Sequence, residues 1–226
     1  MRFKDVFSII GPSMVGPSSS HTAGAARLGR VARRLHGAQP VLAELTLYGS
    51  FAATYKGHGT DLALIGGLLD YDTDDARIRN AVALTEQAGM EVRFRTAMLP
   101  AGHPNTVSIR VQSADGREDT VTGASIGGGN IEISRVNGFD VRFTADYPTL
   151  LVFHRDQRGM VADISRLLSD RGINIGHMNV NRKSRSGDAL TVVEMDEPAA
   201  PQVLEQLSGL ADISRISVVN LRNGNG

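Results

Sequence analysis

The chain has 226 residues, 41% of them apolar, and 24 basic side chains balance 24 acidic ones. That is material for one or two ordinary packed domains, and the balanced charge leaves no electrostatic footprint for nucleic acid or an acidic membrane surface. There is no cysteine, which excludes disulfides, a thiol nucleophile and thiolate ligation of zinc or an iron–sulfur cluster by this chain.

No metal-ligand set is read from the sequence. No segment approaches the roughly twenty apolar residues of a membrane span. The start, Met1–Phe7, carries charges before any apolar run and does not resemble a signal peptide. A cytoplasmic protein without membrane contact is expected.

The first informative stretch is Gly11–Thr22, Gly-Pro-Ser-Met-Val-Gly-Pro-Ser-Ser-Ser-His-Thr. A helix should follow at once, since Leu28, Val31, Ala32 and Leu35 recur at helical spacing. Arg27, Arg30 and Arg34 then read as its solvated face. Val41–Tyr48 alternates as a strand. Gly49–Asp61 is a glycine-punctuated loop or short helix, and Asp61–Leu69 is apolar and helical. Asp74–Gly89 reads as one helix with acidic residues at its start and a glycine stop. Strands are expected at Glu91–Thr96, Thr106–Gln112, Arg117–Thr122 and Ile131–Val136.

A second unit begins near Tyr147-Pro148. Its strand Thr149–His154, helix Met160–Arg171, strands Ile173–Arg182 and Ala189–Asp196, helix Pro201–Gly209 and strand Ile213–Leu221 give the order βαββαβ. That order is a ferredoxin-like layout, with helices on one face of an antiparallel sheet. The helix should turn Val161, Ile164, Leu167 and Leu168 inward. The fold class is therefore α+β, with a mixed α/β domain at 1–147 and a ferredoxin-like domain at 148–226.

The chemistry concentrates in a few polar runs. One serine before a helix is a cap. Ser18, Ser19, Ser20 and Thr22 together exceed what capping needs, and the start of the helix is also suited to an anion. His21 in the same run can exchange a proton near neutral pH. No lysine stands where a phosphate-binding loop requires one. His58, between glycines and followed by Thr60 and Asp61, is an exposed-base arrangement with a carboxylate at hand to orient it. His103-Pro-Asn105-Thr is a further polar corner that also reads as a simple turn.

Gly123–Asn130 is a glycine-rich loop that leads into a strand and not a helix. It lacks the order of a dinucleotide fingerprint, and a tight backbone crossing is expected there. Lys56 as a Schiff-base lysine is disfavoured, because no phosphate-binding helix start follows it.

Several of these runs resemble one family. Ile9–Arg27, Tyr48–Asp61, His103–Thr106 and Ser125–Ile133 are similar, in order, to motifs of the β chain of iron–sulfur-dependent L-serine dehydratase. Asp156–Val161 and Gly172–Ile175 resemble an ACT domain. The resemblance implies an allosteric-substrate-binding-type domain followed by an ACT domain, and conversion of L-serine to pyruvate and ammonia. It also implies a [4Fe–4S] cluster acting as Lewis acid, held by the cysteines of a separate α chain, without which this chain is inactive.

Carried across residue by residue, His58 is the candidate base and His21 a second catalytic residue. Ser18, Ser19, Ser20, Thr22, Thr60 and Asn105 are the candidate substrate-binding residues. In the ACT-like unit, Asp156, Gly159 and Asn174 are candidates for an effector amino acid, and self-association through that unit is expected. The alternative is a stand-alone amino-acid sensor, for which an exposed base would have no use.

Overall fold

The computed structural model describes residues 13–98 and 102–222. The Met1–Phe7 start, the Gly11-Pro12 pair and the terminal Asn223–Gly226 lie outside the described residues. Two compact units divide between Asn137 and Gly138.

The first unit begins with a π-type turn, Ser19–Ala23, that runs directly into helix α1 (Gly24–His36). Strand β1 (Leu42–Tyr48), the short helix α2 (Gly49–Thr54) and helix α3 (Thr60–Leu68) follow. After a 3₁₀ turn at Ala76–Asn80 come α4 (Ala81–Gln87), β2 (Glu91–Ala97), β3 (Thr106–Gln112), β4 (Glu118–Gly127) and β5 (Asn130–Val136). The strand order in this unit is β2-β1-β3-β4-β5. β1 pairs parallel with β2 and antiparallel with β3, Leu45 facing Phe94 on one side and Ile109 on the other.

Alternation in β1 sends Ala43, Leu45 and Leu47 to one face, where all three are fully buried. Burial of each leucine is worth about 1.5–3 kcal/mol. The same face takes Val107, Ile109 and Val111 from β3 and Ile131 and Ile133 from β5. Helix α1 packs on this face, and α3 packs against α1. They approach so closely that a Cβ on Gly67 would lie 2.1 Å from the Ala26 carbonyl oxygen, and one on Gly29 would lie 2.3 Å from that of Leu64. Small residues at this crossing let the two backbones touch.

The second unit opens with β6 (Phe139–Phe143), whose Phe139, Val141 and Phe143 point inward. It continues as β7 (Thr149–Arg155), α5 (Met160–Ser169), β8 (Ile175–Arg182), β9 (Asp188–Met195), α6 (Pro201–Ser208) and β10 (Ile213–Val219). The antiparallel sheet β10-β7-β9-β8 carries both helices on one face. Leu150 and Val152 of β7, Ile164 and Leu168 of α5, Val193 of β9 and Leu207 of α6 share the core. This is the expected βαββαβ layout, with β10 and β8 as its edge strands among the described residues. No helix among the described residues is long and apolar enough to cross a membrane.

Four expectations change. Asp74–Gly89 is not one helix: Asp75 accepts from the Arg77 N–H and starts a separate tight turn, and Asn80 leaves the helical region at φ −113° and ψ 18°. The Gly123–Asn130 run is mostly strand, since β4 extends through Gly127 and only the last glycines turn. Arg30 does not lie on a solvated face; it is 3% exposed and ion-paired. Val161 faces outward.

Candidate functional site

The Ser18–Thr22 run is built as a cap and a turn together. Ser18 Oγ accepts from the His21 N–H at 3.3 Å, and the Gly24 N–H donates back to the Ser19 carbonyl, five residues apart. This wide turn ahead of α1 presents His21 sideways. π-type turns of this kind recur at functional sites. Thr22 is buried beneath the turn, its hydroxyl donating to the Ser18 carbonyl and lying 3.5 Å from Met14 Sδ. Ser19 and Ser20 are half-buried.

The imidazole of His21 is held at both ends. Nδ1 lies 3.4 Å from Ser18 Oγ, and Nε2 lies 3.2 Å from Ser50 Oγ. Phe51, fully buried, sets its ring edge-on to His21 at 5.5 Å between centroids. His58 meets the same ring edge-to-face, with centroids 4.9 Å apart and an interplanar angle of 87°. Burial, and secondly the charge of His58, hold the His21 imidazolium below its ordinary value. A neutral His21, bonded to a hydroxyl through each nitrogen, stands beside the exposed His58.

Sequence reasoning missed Ser50 and Phe51. A serine at a helix start reads as a cap, and its contact with His21 joins residues far apart in the chain. The local reason for its position is Gly49, at φ +54°, where the chain leaves β1 for α2. A Cβ there would lie 2.6 Å from the Pro104 carbonyl oxygen. The same oxygen accepts from the Ser50 N–H at 2.7 Å. The His103–Thr106 corner thereby braces the helix that carries Ser50.

Asn105 belongs to that corner. Its carbonyl accepts from the Ser125 N–H at 3.0 Å, and its own N–H donates to His103 Nδ1 at 3.2 Å. Thr60 opens α3 and is fully buried, and among the described residues its hydroxyl finds no hydrogen-bond partner. Asp61, in the first turn of α3, accepts from the Leu62 N–H at 2.9 Å. That bond gives Asp61 a structural role at the start of α3.

The expected tight crossing near Gly123–Asn130 is found where α1 begins. A Cβ on Gly24 would lie 2.0 Å from Ser125 Oγ. An open groove of about 570 Å³ adjoins the site at Gly49, lined by Ala52, Ala53, Thr96, Ala97 and Met98. It lies beyond the carboxyl ends of the parallel pair β1 and β2, a usual position for ligands.

In the second unit the three effector candidates have their own partners. Asp156 accepts from the Ser186 N–H at 3.1 Å and from Arg182 Nη1 at 3.2 Å, and these bonds hold its carboxyl below the usual carboxylate range. Asn174 donates to Asp196 Oδ2 at 2.7 Å. Gly159, at φ +92°, caps α5.

Residues 3–93 match the serine dehydratase beta chain family, and residues 148–212 match the ACT domain. Over 219 residues the chain is 48% identical to the probable L-serine dehydratase beta chain of Bacillus subtilis (strain 168), covering 97% of this chain and 99% of that one. The chain belongs to the L-serine dehydratase β-chain family. The L-serine dehydratase beta chain of Peptoniphilus asaccharolyticus is 40% identical over 205 residues, 90% of this chain and 92% of its own length. L-serine dehydratase 1 of Escherichia coli (strain K12) is 34% identical over 142 residues, which are 52% of this β-chain family member but 31% of that longer protein.

Proposed function

We propose that this chain supplies the substrate-binding and proton-transfer half of an L-serine dehydratase, working with a separate cysteine-bearing α chain to convert L-serine to pyruvate and ammonia. The observation that carries the proposal is the His21–His58 pair, 4.9 Å apart at the serine-capped start of α1. The hydroxyls of Ser18, Ser19 and Ser20, at the positive start of α1, suit the substrate carboxylate, while Thr22, buried beneath the turn, supports them from below and does not reach the ligand itself. His58, an exposed imidazole, takes the α-proton. The electron pair left on Cα forms the Cα=Cβ bond as the Cβ–O bond breaks, and the departing hydroxide together with the proton taken from Cα makes up the water lost. The resulting aminoacrylate tautomerises to an imine, and water hydrolyses it to pyruvate and ammonia. His21, kept neutral, orients His58 and the substrate; Asn105 braces the corner behind Ser50 through its backbone, and Thr60, fully buried, does not reach the ligand directly.

The residues of this chain do not fit an iron–sulfur cluster. There is no cysteine, and among the described residues no group of three His, Cys, Asp or Glu could hold a metal ion. The [4Fe–4S] cluster is proposed to reside on the α chain, where it would supply a Lewis acid for the departing hydroxyl. Self-association is proposed along β8, which among the described residues is an edge strand of the sheet. A cytoplasmic location is part of the proposal.

The test is His58→Ala in the assembled two-chain protein. Turnover should fall by about a hundredfold or more, the usual worth of a positioned acid–base group, with the melting temperature unchanged because His58 is exposed. Near-normal turnover would remove His58 from the mechanism.

A further inference from the structure

We infer that Arg30, Asp72 and Thr73 form a latch that fixes the position of the Ser18–Thr22 turn, which makes them positioning residues although none of them lines the site. The role in turnover rests on the proposed serine chemistry; the latch itself does not.

Arg30 is the anchor of the latch. A guanidinium 3% exposed is stable only when its partners are fixed. Arg30 Nη1 lies 3.0 Å from Asp72 Oδ1, and Nε lies 3.5 Å from Asp70 Oδ1. Arg34 grips the same Asp70 at 2.7 Å. These bonds hold the 70–73 turn in one conformation, including Asp70 at φ +65°, a region that costs a non-glycine residue energy.

Thr73 passes that order on. Its N–H donates to Asp72 Oδ1 at 2.7 Å. Its carbonyl accepts from the Val15 N–H at 2.8 Å, and its hydroxyl donates to the Ser13 carbonyl at 2.7 Å. Residues 13–16 are thereby strapped to the turn. The strap in turn lies on Thr22. Met14 Sδ meets the Thr22 hydroxyl, and a Cβ on Gly16 would lie 2.3 Å from Thr22 Cγ2. Helix α1 therefore fixes, through Arg30, the segment that covers its own first turn. Ser18 and His21 cannot shift without breaking the Thr73 bonds or unseating Thr22.

Thr73→Val keeps the shape and removes the donor; Thr73→Ser keeps the donor. Both act at a surface hydroxyl and leave the folded core intact. Two readouts are taken. The His21 ring is titrated by NMR in the full chain on its own, and KM and kcat for serine are measured in the assembled protein. Expected for Thr73→Val is a His21 titration moved up towards that of a solvated imidazole, and a KM raised several-fold with kcat little changed. Thr73→Ser should match the wild type in both.

Wild-type titration and KM in Thr73→Val would overturn the latch. So would a Thr73→Ser variant that behaves like Thr73→Val, since methyl packing would then be the cause. If the wild-type assembly does not turn over serine, the serine chemistry fails, while the His21 titration still decides the latch.

Discussion

Replacing Gly49 by alanine tests how the site is braced. Gly49 sits at φ +54°, so an L side chain there costs about 1–2 kcal/mol from the backbone conformation. The added Cβ would also lie 2.6 Å from the Pro104 carbonyl oxygen and 2.8 Å from its Cα. Backbone atoms cannot rotate away as a flexible side chain could, and forced contacts of this sort cost about a further 1–3 kcal/mol. Gly89→Ala supplies the control, because Gly89 has φ +62° and nothing within 4 Å of its would-be Cβ. It carries the conformational cost without the clash.

At about 2–4 °C per kcal/mol for a protein of this size, Gly89→Ala should lower the melting temperature by about 2–8 °C and Gly49→Ala by about 4–20 °C. Differential scanning calorimetry of both variants checks the order. In the assembled protein Gly49→Ala should also reduce turnover, since relief of the clash moves the Ser50 N–H off Pro104 and Ser50 away from His21. Gly89→Ala should not. A Gly49→Ala protein that melts at or above Gly89→Ala would refute the packing argument, whatever its activity.

Further outcomes follow from the same geometry. His21 has a folded pKa lowered chiefly by burial, so its contribution to the stability of the turn is present above about pH 6.5 and is lost as pH falls through the lower folded value. Hydrogen exchange at the His21 amide should therefore accelerate on acidification below that range, and exchange independent of pH after correction for intrinsic rates would contradict it. His21→Ala should raise KM for serine more than it lowers kcat in steady-state assays; the reverse pattern would make His21 the base. Titration of the full chain with serine by calorimetry examines Asp156, Gly159 and Asn174. Heat that is lost in Asn174→Ala is expected of an effector site, and no heat at millimolar serine would leave the ACT unit a structural role.

Much of the fold was legible because burial follows periodicity. Leu45 and Leu47 alternate and face the core; Leu28, Val31 and Leu35 recur at helical spacing and do the same. The βαββαβ order needed only short strands and capped helices. What failed had physical causes. Asp75 bonds its own backbone neighbourhood and interrupts a helical pattern, as short acidic side chains do. Strand β6 was overlooked although Asn137-Gly138 announces a turn and Phe139, Val141 and Phe143 alternate.

Arg30 could not be read as buried, since the acidic residues that stabilise it stand some forty positions later. In the site, the Ser18–Thr22 run and His58 stood out by composition. Their meeting depends on α2 and α3 returning the chain to α1, which no local pattern reports. Ser50 was hidden for the same reason.

The most direct test of the central claim is a serine-to-pyruvate assay after anaerobic co-expression of this chain with the proposed cysteine-bearing α chain, with each chain also assayed separately. Expected is an iron–sulfur absorption band that belongs to the α chain and to the complex but never to this chain, and pyruvate and ammonia in equal amounts from the complex only. Full activity of the α chain without this one, or stoichiometric iron and sulfide on this chain by itself, would contradict it.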